Sequence, residues 1–268
     1  GSAYTYGYAT LGELFAWIIG WDLVLEYALS ATTVAIGWSG YVVSFLNHIG
    51  LPMPAVISAA AGTQITQADG TVVTALFNLP AVLIVILVTA LLVRGIKESA
   101  RVNNVIVFVK VGVVLLFILF AWRAIDPANW QPFIPANTGS REHFGPTGII
   151  AGAGIVFFAY IGFDAVSTAA QEAKRPQRDM PIGIIVSLLV CTVLYIIVSA
   201  IATGVVHYSQ LDVPDPIAKV AAAAGLGWMT RVIEIGAIAG LSSVILVQLM
   251  GQARVFWSMA NDGLLPPA

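Results

Sequence analysis

Charge is scarce in this sequence. Of its 268 residues only 10% are Asp, Glu, Lys or Arg, against about 25% in an average soluble domain. A chain of this size cannot cover a water-facing core with so little polar surface, which excludes a soluble globular class. The single cysteine, Cys191, rules out a disulfide within the chain. His48, His143 and His207 fall in expected outer loops, where they are solvated, and no pair has metal-ligand spacing. Lys and Arg are nowhere dense enough to follow a nucleic-acid backbone, so no nucleic-acid partner is expected. P-loop, dinucleotide and nucleophile motifs are absent too. That argues against an enzyme or an ATP-driven pump, and no cofactor is expected. The start, Gly1-Ser2-Ala3-Tyr4, lacks an initiating Met and a basic n-region, so it does not read as a signal peptide.

What the chain has in abundance is apolar sequence, 59% of its residues. A helix needs about 20 apolar residues to cross the hydrocarbon layer. Six stretches qualify, at about 11–46, 79–93, 102–122, 147–170, 181–206 and 228–250. The expected fold is an all-α polytopic membrane protein, a single transmembrane domain in contact with the lipid bilayer. The first stretch measures about 54 Å at 1.5 Å per residue, which implies tilt or an extension beyond the membrane. Arg94, Lys97, Arg101, Lys174, Arg175, Arg178 and Arg254 all fall on one side of this layout. Basic short loops mark the cytoplasmic face, so both chain ends are expected there. The 47–78 loop, without Lys or Arg, falls outside.

Ionisable groups at membrane depth are costly and face protein or water. Asp22 and Glu26 are four apart in the first span, hence on one helical face. Lys110 lies roughly 12 Å into the third by helical rise, and Asp164 lies in the fourth. Each has a structural reading beside a transport one: local capping, an ion pair, or snorkelling of the lysine stem. The fourth span also reads Gly148-Ile149-Ile150-Ala151-Gly152-Ala153-Gly154, then Phe157-Phe158-Ala159-Tyr160-Ile161-Gly162-Phe163-Asp164. Small residues there can serve close helix packing. Alternatively the helix breaks between about Phe157 and Phe163. Freed backbone groups are tolerated at midplane only where they line a cavity, and transporters use such half-helix ends to hold charged substrate groups.

Several motifs resemble a known family. The segment from Gly12-Glu13-Leu14-Phe15 through Trp21-Asp22-Leu23-Val24-Leu25-Glu26-Tyr27 resembles the third helix of the cationic amino acid transporter family. That family belongs to the amino acid–polyamine–organocation superfamily. Ala100-Arg101-Val102-Asn103-Asn104 leading to Lys110 is similar to its fifth helix, and Phe158 through Thr168 to its sixth. Glu172-Ala173-Lys174-Arg175-Pro176 resembles the loop that follows, and Ala260-Asn261-Asp262-Gly263-Leu264-Leu265-Pro266 the loop after the eighth helix. The likeness covers nearly the whole chain, with the motifs in order. It implies helices three to eight of a fold with about twelve helices, built from inverted repeats. The helices missing from that set, the carboxylate-binding first one included, are then partners of this chain.

The resemblance implies a secondary-active permease in the cell membrane, carrying amino acids by alternating access with proton coupling or exchange. A polyamine or organocation permease is the alternative, and a transport-inactive membrane subunit the rival. By the same likeness, carbonyls near Phe158, Ala159 and Ile161, with Gly162 permitting the break, receive the substrate ammonium. Lys110 sets a fixed cation where sodium-coupled relatives bind sodium. Ser242 and Ser243 lie beside that cation, or else serve ordinary interhelical bonding. Glu26 and Asp164 complete the coupling and gating set.

Overall fold

Glycine and proline divide the apolar runs into helices. The computed structural model describes residues 3–66, 70–94, 96–137, 139, 144–163 and 175–265, with 96–104 by backbone. Helix α1 (Ala3–Leu11) is separated from α2 (Glu13–His48) by Gly12, whose φ is 90°. Further along come α3 (Leu79–Arg94), α4 (Ile96–Ala121) and α5 (Gly145–Val156). Then follow α6 (Pro176–Val205), α7 (Pro216–Ala223) and α8 (Gly227–Asn261). α4 starts before its expected apolar stretch and α8 outruns its own. Hydropathy marks hydrocarbon-compatible residues, whereas backbone hydrogen bonding continues into the polar flanks.

The end of α2 shows how sequence stops a helix. Leu51 N–H donates to Leu46 O at 2.9 Å and Gly50 N–H to Asn47 O at 3.1 Å. This pairing closes a helix through a left-handed residue, here Gly50 at φ 80°. Pro52 then prevents resumption. At the start of α3, Asn78 Oδ1 accepts the Ala81 N–H at 3.0 Å, a side-chain N-cap. Its Nδ2 donates to Ser39 Oγ at 2.6 Å, joining α3 to α2.

The 47–78 segment is more ordered than a plain loop. It holds a 3₁₀ turn at Ala55–Ile57 and a small hairpin, β1 (Gln64–Thr66) with β2 (Val72–Thr74). The strands are antiparallel, with Ile65 opposite Val73. Three residues per strand are too few for period-two alternation to be legible in sequence.

The chain divides into two compact units. One comprises Gly1–Ser30, Asp126–Ala200 and Val247–Ala268; the other comprises Ala31–Ile125 and Ile201–Leu246. Within the first, Tyr4, Ala16, Leu23, Val24, Tyr27, Val255 and Met259 form the core. A Cβ on Gly251 would lie 3.2 Å from the Tyr27 ring, so α2 and α8 approach at a small residue, as membrane helices commonly do. Tyr4 donates to Asp262 Oδ2 at 2.7 Å and ties α1 to the end of α8. Within the second unit α4 and α8 meet at Gly236, where a Cβ would stand 2.7 Å from Val113 Cγ2. α6 leaves Ile182, Ile185, Val186, Leu189, Val193 and Ile196 exposed, a surface suited to lipid rather than water. Among the described residues, Glu13–His48, Val105–Ala124, Pro176–Val205 and Gly227–Asn261 are long and apolar enough to cross a membrane; Leu79–Arg94 and Gly145–Tyr160 are shorter apolar helices.

Candidate functional site

In the first unit the expected break is present in the backbone. α5 stops at Val156 and the chain tightens into a 3₁₀ turn over Phe157–Tyr160. Ile161 is extended, with φ −60° and ψ 130°, and Gly162 follows at φ 108°. That conformation is open to glycine and strained for any residue with a Cβ. Leaving the helix strips the last carbonyls of their intrahelical partners. Phe158 O accepts Ile161 N–H at 3.2 Å, and Tyr160 O accepts Phe163 N–H at a long 3.5 Å. Ala159 O takes the hydroxyl of Tyr195, from α6, at 3.1 Å. Tyr195 stands edge-on to Tyr160 at 5.5 Å, and the Tyr160 hydroxyl lies 3.1 Å from Thr192 Oγ1. α6 therefore braces the break through two side chains one turn apart. Gln248 braces it from α8, its Nε2 within 3.4 Å of a Cβ built at Gly162. That amide donates to Ser30 Oγ at 3.0 Å, while its buried Oε1 has no partner among the described residues.

Beside the break is a cavity of about 710 Å³, lined by Asp22, Leu25, Glu26 and Leu29 of α2, by Phe157, Phe158, Tyr160, Ile161 and Phe163, and by Leu188 of α6. Two of the sequence-derived features thus meet: the Glu26 carboxyl and the Phe158–Ile161 segment share one wall-lined space. Glu26 is half-buried and Asp22, one turn earlier, is exposed. Acidic groups and helix-end carbonyls both present negative partial charge, so this space is suited to a cation or an ammonium group. The rest of the lining is aliphatic or aromatic and suits an apolar moiety. Asp164 lies outside the described residues, as does His143.

Lys110, Ser242 and Ser243 belong to the second unit. Lys110 is half-buried, its Nζ 3.5 Å from the Oγ of buried Ser243. Its stem runs over Gly240, where a Cβ would sit 3.4 Å from the lysine Cβ. Ser242 has a different environment. It donates to Ile238 O at 2.7 Å and accepts from Trp38 Nε1 at 2.9 Å. Of the two serines, Ser243 is the one hydrogen-bonded to the lysine in this arrangement, and Ser242 is engaged by the indole.

One set of residues escapes the sequence reading. Glu234 of α8 is fully buried, and His48 Nδ1 lies 2.8 Å from its Oε1. His48, expected in a solvated loop, is instead the last residue of α2 and holds an acid; the apolar run simply ended before it. Ser44 lies 2.9 Å from the same oxygen and 2.6 Å from Asp215 Oδ2. The available signal was an acid inside the apolar stretch Val232-Ile233-Glu234-Ile235. His207 pairs locally with Ser209 at 2.8 Å. Among the described residues, no group of His, Cys, Asp and Glu is arranged to hold a metal ion.

Residues 1–267 match the family described as amino acid permease. Branched-chain amino acid permease BcaP of Bacillus subtilis (strain 168) is 52% identical over 267 residues, which is 99% of this chain and 54% of that protein. A methylthioribose transporter of the same organism is 47% identical over 266 residues, again 99% of this chain and 54% of that protein. A vacuolar cationic amino acid transporter 4 of Arabidopsis thaliana is 38% identical over 268 residues, 99% of this chain and 42% of that protein. The chain spans about half the length of the curated relatives it matches.

Proposed function

We propose, from the premise that this chain belongs to the amino acid permease family and is part of a multi-pass membrane protein, that it forms the substrate wall and the coupling cation of a secondary-active amino acid transporter. The observation that carries this reading is the interrupted helix at Phe157–Gly162 opening onto the cavity that also holds Glu26. In this reading the Phe158 to Ile161 carbonyls and the Glu26 carboxyl attract the substrate ammonium. The aliphatic and aromatic lining receives its side chain. That lining favours a neutral, branched side chain, which agrees with the name of the 52% identical relative. Tyr195 occupies the Ala159 carbonyl until the ammonium competes for it.

Lys110 supplies the coupling. Its ammonium is held by Ser243 and supplies a fixed positive charge, as a bound metal cation would. In this scheme the lysine releases its proton as the pathway rearranges. The chain works together with the remaining helices of a permease of the relatives' length. It lies in the cell membrane with both of its ends on the cytoplasmic side, in accord with Arg94 and Arg254 bordering that face. No catalytic step on the substrate is part of this scheme.

The test is uptake by proteoliposomes of the full-length protein carrying this chain, against labelled branched-chain, cationic and other amino acids, a polyamine and methylthioribose. The last is included because a 47% identical relative bears that name. Uptake of a branched-chain amino acid, driven by an imposed pH gradient in sodium-free buffer, is expected. Uptake of methylthioribose or the polyamine alone would reject the amino acid reading.

A further inference from the structure

The transport scheme leaves one buried acid unused. Glu234 has none of its surface exposed, and its Oε2 has no hydrogen-bond partner among the described residues. Its other oxygen belongs to a chain of three contacts: His48 Nδ1 to Glu234 Oε1 at 2.8 Å, Ser44 Oγ to Glu234 Oε1 at 2.9 Å, and Ser44 Oγ to Asp215 Oδ2 at 2.6 Å. All four residues lie in the second unit. They come from the end of α2, the turn ahead of α7, and α8.

Hydrogen counting decides the chemistry. All three contacts are full hydrogen bonds when each has its own hydrogen between the two heavy atoms. Ser44 has one hydroxyl hydrogen, and a histidine ring offers one at Nδ1. With both carboxyls ionised, one contact would set bare oxygen against bare oxygen. A proton held on Glu234 or Asp215 supplies the third hydrogen. If the ring accepts at Nδ1 instead, the carboxyls must provide two. Burial points the same way, since an ionised carboxylate oxygen without a partner is far more costly than the carbonyl oxygen of a neutral acid. Among the described residues Tyr41 of α2 also faces this cluster, buried beside Asp215 and Glu234 and receiving the Ile217 N–H. Lys219 of α7 is engaged elsewhere, donating to Gln210 O at 2.6 Å. It leaves the shared proton to the acids.

We propose that Glu234, Ser44, Asp215 and His48 form a proton-binding site, separate from Lys110, that clasps α2 to α8 and to the start of α7. The bound proton is shared through the Ser44 hydroxyl. When it leaves, two like charges converge on that hydroxyl and the clasp loosens. With the orientation proposed above, the site lies toward the outer face, where it reads the pH that drives uptake.

The experiment is a pH-difference infrared spectrum of the full-length protein carrying this chain, purified in detergent. It needs no substrate, so its failure leaves the permease reading standing. A protonated-carboxyl C=O stretch is expected at neutral pH, shifting in D₂O and lost as pH rises. It should disappear in Glu234→Gln and be lost or shifted in Asp215→Asn. Ser44→Ala keeps both acids and removes the shared hydroxyl, so it should move the pH at which the band is lost; it also serves if either acid variant fails to fold. A wild-type spectrum without the band, a band that persists in Glu234→Gln, or an unchanged titration in Ser44→Ala would overturn the proposal.

Discussion

Gly236 offers a test of whether helix packing holds Lys110 in place. A Cβ there would lie 2.7 Å from Val113 Cγ2, 2.9 Å from Cγ1 and 3.0 Å from Cβ. Valine in a helix has one strongly preferred rotamer, and with all three of its side-chain carbons in the way no rotation relieves the clash. α4 and α8 must part at this level. Overpacking of this kind costs about 1–3 kcal/mol. Against it stands the gain of replacing a helical glycine by alanine, up to about 1 kcal/mol. Gly112, on α4 one residue before Val113, has nothing among the described residues within 4 Å of a Cβ, so Gly112→Ala carries the gain without the clash. The two variants should therefore differ by the overpacking term, about 1–3 kcal/mol. At roughly 2–4 °C per kcal/mol, Gly236→Ala should melt on the order of 5 °C below Gly112→Ala. The assay is thermal unfolding of the full-length protein in detergent. Lys110 precedes Val113 by one turn on the same face of α4 and packs on Gly240, one turn beyond Gly236. Gly236→Ala should therefore also slow uptake, and Val113→Ala should restore both properties in the double variant. Equal melting of the two alanine variants, or no rescue by Val113→Ala, would refute this account of the α4–α8 contact.

Three more outcomes follow from the same geometry. Lys110→Met keeps the apolar stem and removes the cation, so pH-driven uptake in sodium-free buffer should be abolished while membrane levels and substrate binding change less; normal uptake would leave Lys110 an anchoring residue only. Asn78→Ala removes both the cap on Ala81 N–H and the bond to Ser39, and should destabilise by about 1–2 kcal/mol, read as a lowered Tm that Asn78→Ser partly restores by keeping a capping oxygen. Glu26→Gln should raise the Kd for a zwitterionic substrate, measured by scintillation proximity, roughly tenfold if the lost attraction is worth about 1.4 kcal/mol; an unchanged Kd would remove Glu26 from the substrate wall.

What the sequence discloses and what it conceals have a physical division. Hydrocarbon penalises every polar group, so polar residues inside apolar runs announce themselves: Asp22, Glu26 and Lys110 were legible for that reason, and Asp22 and Glu26 do reach one cavity. The break was legible because a glycine, Gly162, falls inside the fourth apolar stretch, and its φ of 108° is open to a residue without a Cβ. By the same rule Glu234 was visible in principle, sitting in an apolar stretch as exposed to view as the one around Lys110. Partners are another matter. Glu234 meets His48 across 186 positions, and no periodicity carries that information. The His48 side of the pair looked like a loop residue because hydropathy ends before α2 does. Ser242 and Ser243 show the limit at its finest. Neighbours on a helix point about 100° apart, so a motif can bring both to the level of Lys110 while only one can face it. Which one depends on how α8 is rotated against α4, and the Gly236–Val113 and Gly240–Lys110 approaches set that rotation. The rotation turns Ser243 toward the lysine and gives Ser242 to Trp38. Sequence locates the cation and its hydroxyls; the close approach of two helices decides the pair.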